Sequence, residues 1–413
     1  MNTKSSDVDY PSGCENPLQE KTLLIITPDF PARDNRYMGS VFVKYQVEAL
    51  KSHFKKIIVI VPVLFSGGIL ANDRYCNDYT YDNISVYYPR CFFFPRSLSI
   101  PLIKNSYKLF LDTRLSAVHR FIERKHLQFD LIHAHFTWPS SYIAVRLKER
   151  YNIPVAATIH EDSSWLRDEI LMNHENLIGS WREADALIRV NQNEIPLLEK
   201  YNRHVHFIPN GFSPRFKPLD QKICRSQLSV PLEKKILFCV GDLIERKGFS
   251  YLVDAMKIVC QQHHDVICYI GGKGPEEKNL LRQIHDNNLE KNVILLGFIS
   301  EEILPVWMNC ADLYILPSIQ ESFGIVQIEA FACGKPVIAT RNAGSIEIIA
   351  SGDVGLLCEP SDPVSLAHAI VRGLDKPWDI QKILDYSKKY SMEMVVKLIL
   401  PIYSHILRNE KNV

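Results

Sequence analysis

Residues 316–340 read LPSIQESFGIVQIEAFACGKPVIAT. A buried strand ends at Pro317, and after a loop a helix is predicted to start near Phe323 and to stop at Gly334,. A strand, loop, helix and second strand in this order are typical of one unit of a parallel α/β sheet. The buried face of the helix is formed by Ile325, Ile328 and Phe331,.

Two acids lie along this predicted helix: Glu321 just before it and Glu329 inside it. A helix start offers free N–H groups and a positive dipole end, which suit a phosphate, and Gly324 allows a ligand to approach the backbone. A diphosphate between two acids suits a nucleotide sugar, with Glu329 on the ribose hydroxyls and Glu321 at the sugar. An ordinary helix start with two solvated acids fits the same spacing, so the spacing alone leaves both interpretations open.

A second segment, residues 240–255, reads VGDLIERKGFSYLVDA. A strand runs into a loop with Arg246 and Lys247, and Gly248 opens a helix. Two cations beside a loop glycine suit a diphosphate leaving group, since Lys acts as a point charge and Arg as a fork. A solvated basic loop is the alternative.

The same alternation of strands and helices extends along most of the chain. It predicts an α/β fold with two Rossmann-like α/β/α domains facing a cleft. Strands are predicted at 23–27, 55–65, 83–88, 130–138, 153–162, 184–190, 205–208, 234–241, 265–272, 292–298, 312–318, 335–340 and 355–360.

The two domains are separated by PNGFSPRFKPLD, residues 209–220, whose prolines and glycine indicate a linker,. We therefore expect an N-terminal domain at 21–210 and a C-terminal domain at 211–391. Residues 1–20 are polar and predict a disordered tail, and a final helix within 392–413 is expected to return to the first domain.

Composition excludes several classes of protein. The 413 residues carry a net charge of +1, so the chain is not an obvious nucleic-acid binder,. Its ten cysteines form no C-x-x-C pair or zinc spacing, which favours a reducing compartment,. There is neither a signal-peptide pattern nor an apolar run near the roughly 20 residues that span a bilayer, so we expect a cytoplasmic protein.

Three histidines, His133, His135 and His160, lie in or after predicted strands. We expect His133 and His135 to alternate on their strand with one facing the core. No further acid or cysteine at suitable spacing is indicated, so structural or substrate-contacting roles are favoured over a metal site, and no metal is predicted.

The segment at 316–340 resembles the E-x7-E motif of retaining GT-B glycosyltransferases, above all glycosyltransferase family 4. The resemblance extends from about Thr22 to Tyr403 and includes the PNG hinge at 209–211 and the glycine loop AGSIEII at 343–349. The matching residues of the main motif are Glu321, Phe323, Gly324, Glu329, Ala330, Gly334, Pro336 and Val337.

The resemblance implies a donor site in the C-terminal domain. By this resemblance, we expect Glu329 to bind the ribose, Glu321 to contact the donor sugar and Lys247 to meet the diphosphate. The family's first arginine is Asp242 here, so whether Arg246 replaces it stays open. The remaining donor-binding residues implied by the resemblance are Gly272, Phe298, Ser322, Phe323, Gly324, Ile325 and Val326.

In the N-terminal half, the resemblance implies that His160 lies against the donor sugar and that Gly39 approaches the donor phosphate. The family's next glycine is Glu161 here, and Asp162 lies one position early, which leaves the role of Asp162 open.

The implied activity is transfer of a sugar, with retention of configuration, from a nucleotide-diphosphate sugar to a glycan or lipid-linked glycan. No cofactor is implied beyond this donor substrate, and the sequence around Gly39 resembles enzymes of bacterial surface polysaccharides. Two alternatives stay open: a sugar-nucleotide 2-epimerase, and a catalytically silent glycan-binding homologue, given Asp242, Glu161 and Ala343.

A basic and aromatic stretch follows residue 89. Apolar anchors mixed with cations are typical of segments at a membrane surface and also of acceptor-binding loops. Peripheral contact with the inner face of a membrane and an acceptor-binding role therefore both stay open. The residues are Arg90, Phe92, Phe93, Phe94, Arg96 and Lys104.

Overall fold

The computed structural model describes residues 18–67, 69–70, 74–92 and 106–409. Its contacts group the chain into two units. The first contains residues up to Ala157 together with those from Leu400 onward, and the second is Thr158–Ile399.

Sixteen strands lie within the described residues. In chain order they are β1 (Thr22–Ile26), β2 (Lys56–Ile60), β3 (Val63–Phe65), β4 (Tyr79–Tyr81), β5 (Ile84–Tyr87), β6 (Arg90–Phe92), β7 (Leu131–His135), β8 (Val155–Ile159), β9 (Ala186–Arg189), β10 (Val205–Phe207), β11 (Lys235–Val240), β12 (Val266–Gly271), β13 (Val293–Gly297), β14 (Leu313–Leu316), β15 (Val337–Thr340) and β16 (Gly355–Cys358).

The α-helices of the described residues connect these strands. They are α1 (Val41–Leu50), α2 (Ser106–Lys125), α3 (Tyr142–Tyr151), α4 (Ser163–Met172), α5 (Glu175–Glu183), α6 (Ile195–Leu198), α7 (Gln221–Gln227), α8 (Phe249–Gln262), α9 (Glu277–Asp286), α10 (Leu304–Cys310), α11 (Ile325–Ala332), α12 (Ala343–Ile348), α13 (Pro363–Asp375), α14 (Ile380–Ser387) and α15 (Met392–Asn409).

The first large sheet has eight strands in the order β10-β9-β8-β7-β1-β2-β5-β4. Strand β1 lies between β2 and β7 and is parallel to both, and its residues from Leu23 to Ile26 are fully buried. Such near-continuous apolar runs are typical of parallel strands covered on both faces. The edge strand β4 runs antiparallel to β5.

The second large sheet has the order β13-β12-β11-β14-β15-β16, and its registered pairs are parallel. Alternate residues of β11 belong to two separate apolar cores: Ile236 and Phe238 to one, Leu237 and Cys239 to the other. The sheet is therefore packed on both faces. The chain progresses outward in opposite directions from β11 and β14, which makes the carboxyl ends of these two strands the topological switch point.

The predicted α/β fold with parallel sheets is confirmed, although two details differ. The predicted strand at 55–65 is two strands, β2 and β3, and β3 pairs with β6 in a small separate sheet. Pro62 lies between them, and proline cannot donate a hydrogen bond to a ladder. The helix predicted near Phe323 starts at Ile325.

The predicted domain bounds stay a prediction. The chain passes from the first large sheet to the second between β10 and β11, an interval that contains the predicted boundary at 210/211. The grouping by contacts divides the chain earlier, after Ala157. Of the predicted tail, residues 1–17 lie outside the described residues, and Leu18 is buried.

The end of the chain packs on β7 within the first unit. The hydroxyl of Tyr403, on α15, is hydrogen bonded to Nδ1 of His133 at 2.6 Å. The rings of His133 and His135 lie 4.2 Å apart and both residues are fully buried. The expectation that only one of them faces the core was wrong, since residues two apart on a strand share a face. Burial lowers the pKa of His135 to about 3.

Replacing Tyr403 by Phe keeps the ring and removes the hydroxyl that binds His133. We expect the free energy of unfolding to fall by about 1–3 kcal/mol, because a buried polar atom loses a partner. Urea unfolding measures the change. Tyr251→Phe is the control, since the Tyr251 hydroxyl has no hydrogen-bond partner among the described residues. Equal stability of Tyr403→Phe and the unmodified chain would contradict the expectation.

Candidate active site

Two loops meet at the switch point of the second sheet, one following β11 and the other following β14. The N–H of Ile319 donates to the carbonyl of Arg246 at 2.8 Å. Gly248 has a left-handed φ of 67°, and a Cβ there would lie 2.1 Å from the carbonyl oxygen of Pro317. Only glycine therefore permits this approach of the two loops.

The carboxylate of Glu321 lies between these loops. Its Oε1 is paired with Nζ of Lys247 and accepts a hydrogen bond from Oγ of Ser318 at 2.9 Å. The Lys247 and Glu321 side chains are only 17% and 10% exposed, so little water screens the pair,. The structure thus brings together two residues that the sequence singled out 74 positions apart.

The loop after β14 leads into α11, whose first turn is open. Gly324 precedes the helix with a left-handed φ of 79°, where a Cβ would lie 2.6 Å from Nε2 of Gln327. Phe323 is buried, whereas Ser322, Ile325 and Val326 are half-buried. The first N–H groups of a helix have no partner within it, so this turn offers donors and a positive dipole end.

Glu329 lies further along α11 and is only 6% exposed. Burial, and secondarily the nearby charge of Glu301, raise the pKa of the Glu329 carboxyl to about 8. Glu301 is itself paired with Arg215 at 3.4 Å. Among the described residues, the Glu329 carboxyl forms no hydrogen bond or ion pair. The two acids of the motif therefore differ, since Glu321 is paired and Glu329 is not.

Arg246 is more exposed than Lys247. Nη1 of Arg246 donates to the carbonyl of Gln320 at 3.4 Å, so the Arg246 side chain lies along the loop that follows β14. Asp242 is also exposed. A role of Arg246 in place of the family arginine stays a prediction.

The glycine turn after β12 packs against the loop after β11. A Cβ at Gly272 would lie 1.9 Å from the carbonyl oxygen of Gly241, and one at Gly274 would lie 2.3 Å from that of Leu243. Close packing against these carbonyls is thus sufficient to explain why glycine occupies both positions. Phe298, which the resemblance implies as a donor-binding residue, is 57% exposed.

The start of α4 lies near the loop that follows β14, in the second unit. His160 follows β8 and is 7% exposed. Asp162 caps α4 by accepting from the N–H groups of Ser164 and Trp165 at 3.1 and 3.0 Å. Burial alone would raise the pKa of Asp162, but the hydrogen bond from Oγ of Ser164, the two N–H groups and the charge of Arg246 lower it overall. Oγ of Ser164 lies 3.4 Å from Oε1 of Gln320, next to Glu321.

In the first unit, Gly39 is held tightly against its own loop. It has a left-handed φ of 52°, and a Cβ there would lie 2.8 Å from backbone atoms of Phe30. A side chain at this position would displace the loop that precedes α1.

Three polar residues at the switch point were missed by sequence reasoning. The carbonyl of Ser318 accepts hydrogen bonds from Oγ1 of Thr340 and from Nδ2 of Asn342, the latter at 3.1 Å. These residues follow or end the neighbouring strands β14 and β15, and that adjacency was the available signal. Asn191, after β9, was also missed, and no local pattern marks it.

The basic and aromatic stretch after residue 89 is described only in part. Phe92 is 75% exposed, and Nη2 of Arg90 donates to the carbonyl of Cys76 at 2.7 Å. Phe93, Phe94, Arg96 and Lys104 lie outside the described residues. No helix of the described part of the chain has both the length and the apolarity needed to cross a bilayer.

The parallel sheets and the loops at the switch point define a GT-B type of α/β protein, and comparison with known families agrees. Residues 220–390 match the family described as Glycosyl transferases group 1, and residues 79–216 match Glycosyltransferase Family 4. The two segments together cover most of the chain. The protein belongs to the glycosyltransferase family whose two parts these models describe.

Its relatives are distant. The chain is 26% identical over 288 residues to mannosylfructose-phosphate synthase of Agrobacterium fabrum, covering 61% of this chain and 62% of that protein. It is 28% identical over 320 residues to N-acetyl-alpha-D-glucosaminyl L-malate synthase of Bacillus anthracis, covering 74% and 81%. The chain thus spans less than two thirds of the first relative.

Solved structures share the fold. Anabaena HepE, determined in complex with UDP, superposes with a TM-score of 0.70 at 20% identity, covering 93% of this chain and all of that one. A sucrose-phosphate synthase from Thermosynechococcus elongatus also gives 0.70, at 22% identity, covering 94% and 99%. At these identities the likeness is one of fold.

The raised pKa of Glu329 predicts a specific pH dependence. Between pH 4.5 and about 8 the folded protein holds a proton that the unfolded chain has released. Its stability therefore falls as pH rises through this window, by up to about 1.4 kcal/mol per pH unit. Glu329→Gln cannot ionise, so its stability relative to the unmodified chain should increase from pH 5 to pH 8 and level off above.

Urea unfolding at pH 5, 7 and 9 measures this difference. Glu233→Gln, at an exposed position, is the control for the loss of one carboxyl. A Glu329→Gln difference that stays constant from pH 5 to pH 9 would show that Glu329 titrates normally.

Proposed function

We propose that the protein is a retaining hexosyltransferase of class EC 2.4. It moves a sugar from a nucleotide-diphosphate sugar to a glycan or lipid-linked glycan acceptor. The observation that carries the proposal is the placement of the Lys247–Glu321 pair beside the open first turn of α11. Both features lie at the switch point of a parallel sheet, where α/β proteins bind nucleotides.

The diphosphate is proposed to lie at the first turn of α11. The N–H groups of residues 322–326 and Nζ of Lys247 then neutralise the charge that develops as the sugar leaves. Lys has three N–H donors, so Lys247 can keep its contact with Glu321 while it donates to a phosphate oxygen. Fixed donors of this kind act without reorganisation during the reaction, and the proposed role needs no metal. Arg246, on the same loop, is a second cation for the leaving group.

The two acids have separate proposed roles. Glu329, whose carboxyl lacks a hydrogen-bond partner among the described residues, accepts hydrogen bonds from the ribose hydroxyls. Glu321, held by Lys247 and Ser318, contacts the donor sugar together with His160. Gly272 and Phe298 are proposed to line the nucleotide. The complex of HepE with UDP supports a uridine nucleotide as the first donor to try.

The proposed acceptor and the proposed cellular location rest on residues of the N-terminal half of the chain. An exposed Phe92 close in sequence to Arg90 supports an acceptor that presents a lipid,. We propose that the enzyme works in the cytoplasm at the inner face of a membrane, in the synthesis of a surface polysaccharide.

The donor is tested by thermal unfolding with UDP-, GDP- and ADP-sugars. A ligand that binds only the folded protein adds about 2.7 kcal/mol of stability at a concentration of 100 Kd. We expect one nucleotide class to raise the melting temperature. The proposal fails if none does, and a donor converted to its epimer without any acceptor would identify an epimerase instead.

Lys247→Ala tests the leaving-group role. We expect release of nucleoside diphosphate from the donor to fall by about 100- to 1,000-fold in kcat, because a preorganised donor to the departing phosphate is lost. Lys257→Ala, an exposed lysine on α8, is the matched control. Full activity of a folded Lys247→Ala protein would refute the assigned role.

A further inference from the structure

Asn191, which follows β9, is fully buried beside the loop of Glu321. Its side-chain oxygen accepts from the N–H of Asn193 at 3.0 Å and so caps the short turn that follows. Its side-chain nitrogen donates to two carbonyls in the C-terminal sheet's loops, that of Ala343 at 3.1 Å and that of Ser322 at 3.5 Å. One carboxamide thus joins a turn to two loops more than 130 residues away.

Each of these carbonyls belongs to a peptide whose N–H lies in the candidate site. In a planar trans peptide the C=O and N–H point in opposite directions, so holding one orients the other. The Ser322 carbonyl shares its peptide with the N–H of Phe323. The Ala343 carbonyl shares its peptide with the N–H of Gly344, which donates to the main-chain carbonyl of Glu321 at 3.2 Å.

The second of these peptides has no room to adjust. A Cβ at Gly344 would lie 2.5 Å from the carbonyl oxygen of Phe323, so the chain there is packed backbone against backbone. Asn191 therefore fixes two peptides next to Glu321, the one between Ser322 and Phe323 and the one whose N–H binds the main-chain carbonyl of Glu321. It contacts neither side chain of the Lys247–Glu321 pair and acts through the main chain.

The turn that carries Asn191 is held in place by an ion pair and hydrogen bonds of neighbouring side chains. Nε of Arg189 donates to Glu194 at 2.8 Å in a fully buried ion pair. Nη1 of Arg189 donates to the carbonyl of Ile159 at 2.7 Å, in the peptide that also contains the N–H of His160. Nδ2 of Asn193 adds a contact to Glu347 on α12 at 3.2 Å. The same turn thus connects the strand end before His160 to the loop of Glu321.

We propose that Asn191 is a positioning residue for glycosyl transfer, whose carboxamide aims the Phe323 N–H and holds the main chain of Glu321 in line with Lys247. The proposal rests on the proposed function, because it gives the Phe323 N–H a role at the leaving phosphate. A purely structural asparagine would satisfy two buried carbonyls and affect stability alone.

Asn191→Asp separates the two halves of the carboxamide. The substitution keeps an oxygen for the N–H of Asn193, so the turn retains its cap. It replaces the donating nitrogen by an oxygen that repels the carbonyls of Ser322 and Ala343. The volume of the side chain is almost unchanged.

Asn202→Asp is a matched control from the same unit. Asn202 is also buried, and its oxygen accepts from the N–H of His204 at 2.8 Å. Its nitrogen donates to the carbonyls of Trp181 and Ala184, both at 2.8 Å. The hydrogen-bond pattern is the same, but none of these partners is a residue of the candidate site.

We expect both variants to lose stability, and we compare their activities well below both melting temperatures. Release of UDP from UDP-glucose, or of the nucleoside diphosphate from whichever donor the thermal test selects, is the readout. In Asn191→Asp, kcat should fall about 10- to 100-fold, as for the loss of one aligned donor, with KM changed less than about threefold. In Asn202→Asp, kcat should stay within about twofold. Equal losses of kcat in the two variants overturn the proposal.

Failure of the proposed function gives a different result. An unmodified protein that releases nucleoside diphosphate from no nucleotide sugar refutes the proposed function itself. Hydrogen exchange of the peptides covering residues 318–328 and 340–348 then tests whether Asn191 holds these two loops in place. Faster exchange in Asn191→Asp than in Asn202→Asp supports the role of Asn191 as their holder, and equal exchange overturns it.

Discussion

The ion pair between Lys247 and Glu321 is the interaction on which the arrangement of the switch point depends. It joins the loop after β11 to the loop after β14, and both side chains are largely withdrawn from water. Removing either partner would leave an uncompensated charge in this setting, which costs more than the pair itself contributes. The close contact of Gly248 with Pro317 and the hydrogen bond of Ser318 to Glu321 fix the same geometry from both sides. A proposed ligand therefore meets a cation whose position is already set.

The rest of the site combines polar groups that are hydrogen bonded to one another with a few groups that remain available to a ligand. Ser318, Thr340 and Asn342 bind one another, so the loop has little freedom. In contrast, the first turn of α11 offers N–H groups that have no partner within the helix, and Glu329 has a carboxyl whose pKa is raised by burial,. Strongly shifted acids in the core of a domain lower its stability, and they concentrate at functional sites. Stability is thus reduced at the positions where the donor is proposed to bind.

The sequence predicted the sheets because their strands are near-continuous apolar runs separated by turns, and it predicted the acids because a helix start fixes their spacing. It did not predict Asn191 as a site residue, since the loops that Asn191 binds are distant in the chain and no local pattern marks it. Ser318 and Asn342 were also missed, although the adjacency of β14 and β15 could have indicated them. Gly272 was singled out for a ligand, and the structure adds the backbone of Gly241 as a reason for it. The expectation for His133 and His135 was wrong because residues two apart on a strand share a face. The spacing of residues in the sequence could not show the role of Arg246.

The most direct test of the central claim is a crystal structure of the protein with UDP bound. We expect the distal phosphate to lie at the first turn of α11, within hydrogen-bond distance of an N–H of residues 322–326 and of Nζ of Lys247, with the ribose hydroxyls on Glu329. A bound UDP whose phosphates lie away from this turn, with Lys247 contacting Glu321 alone, would contradict it.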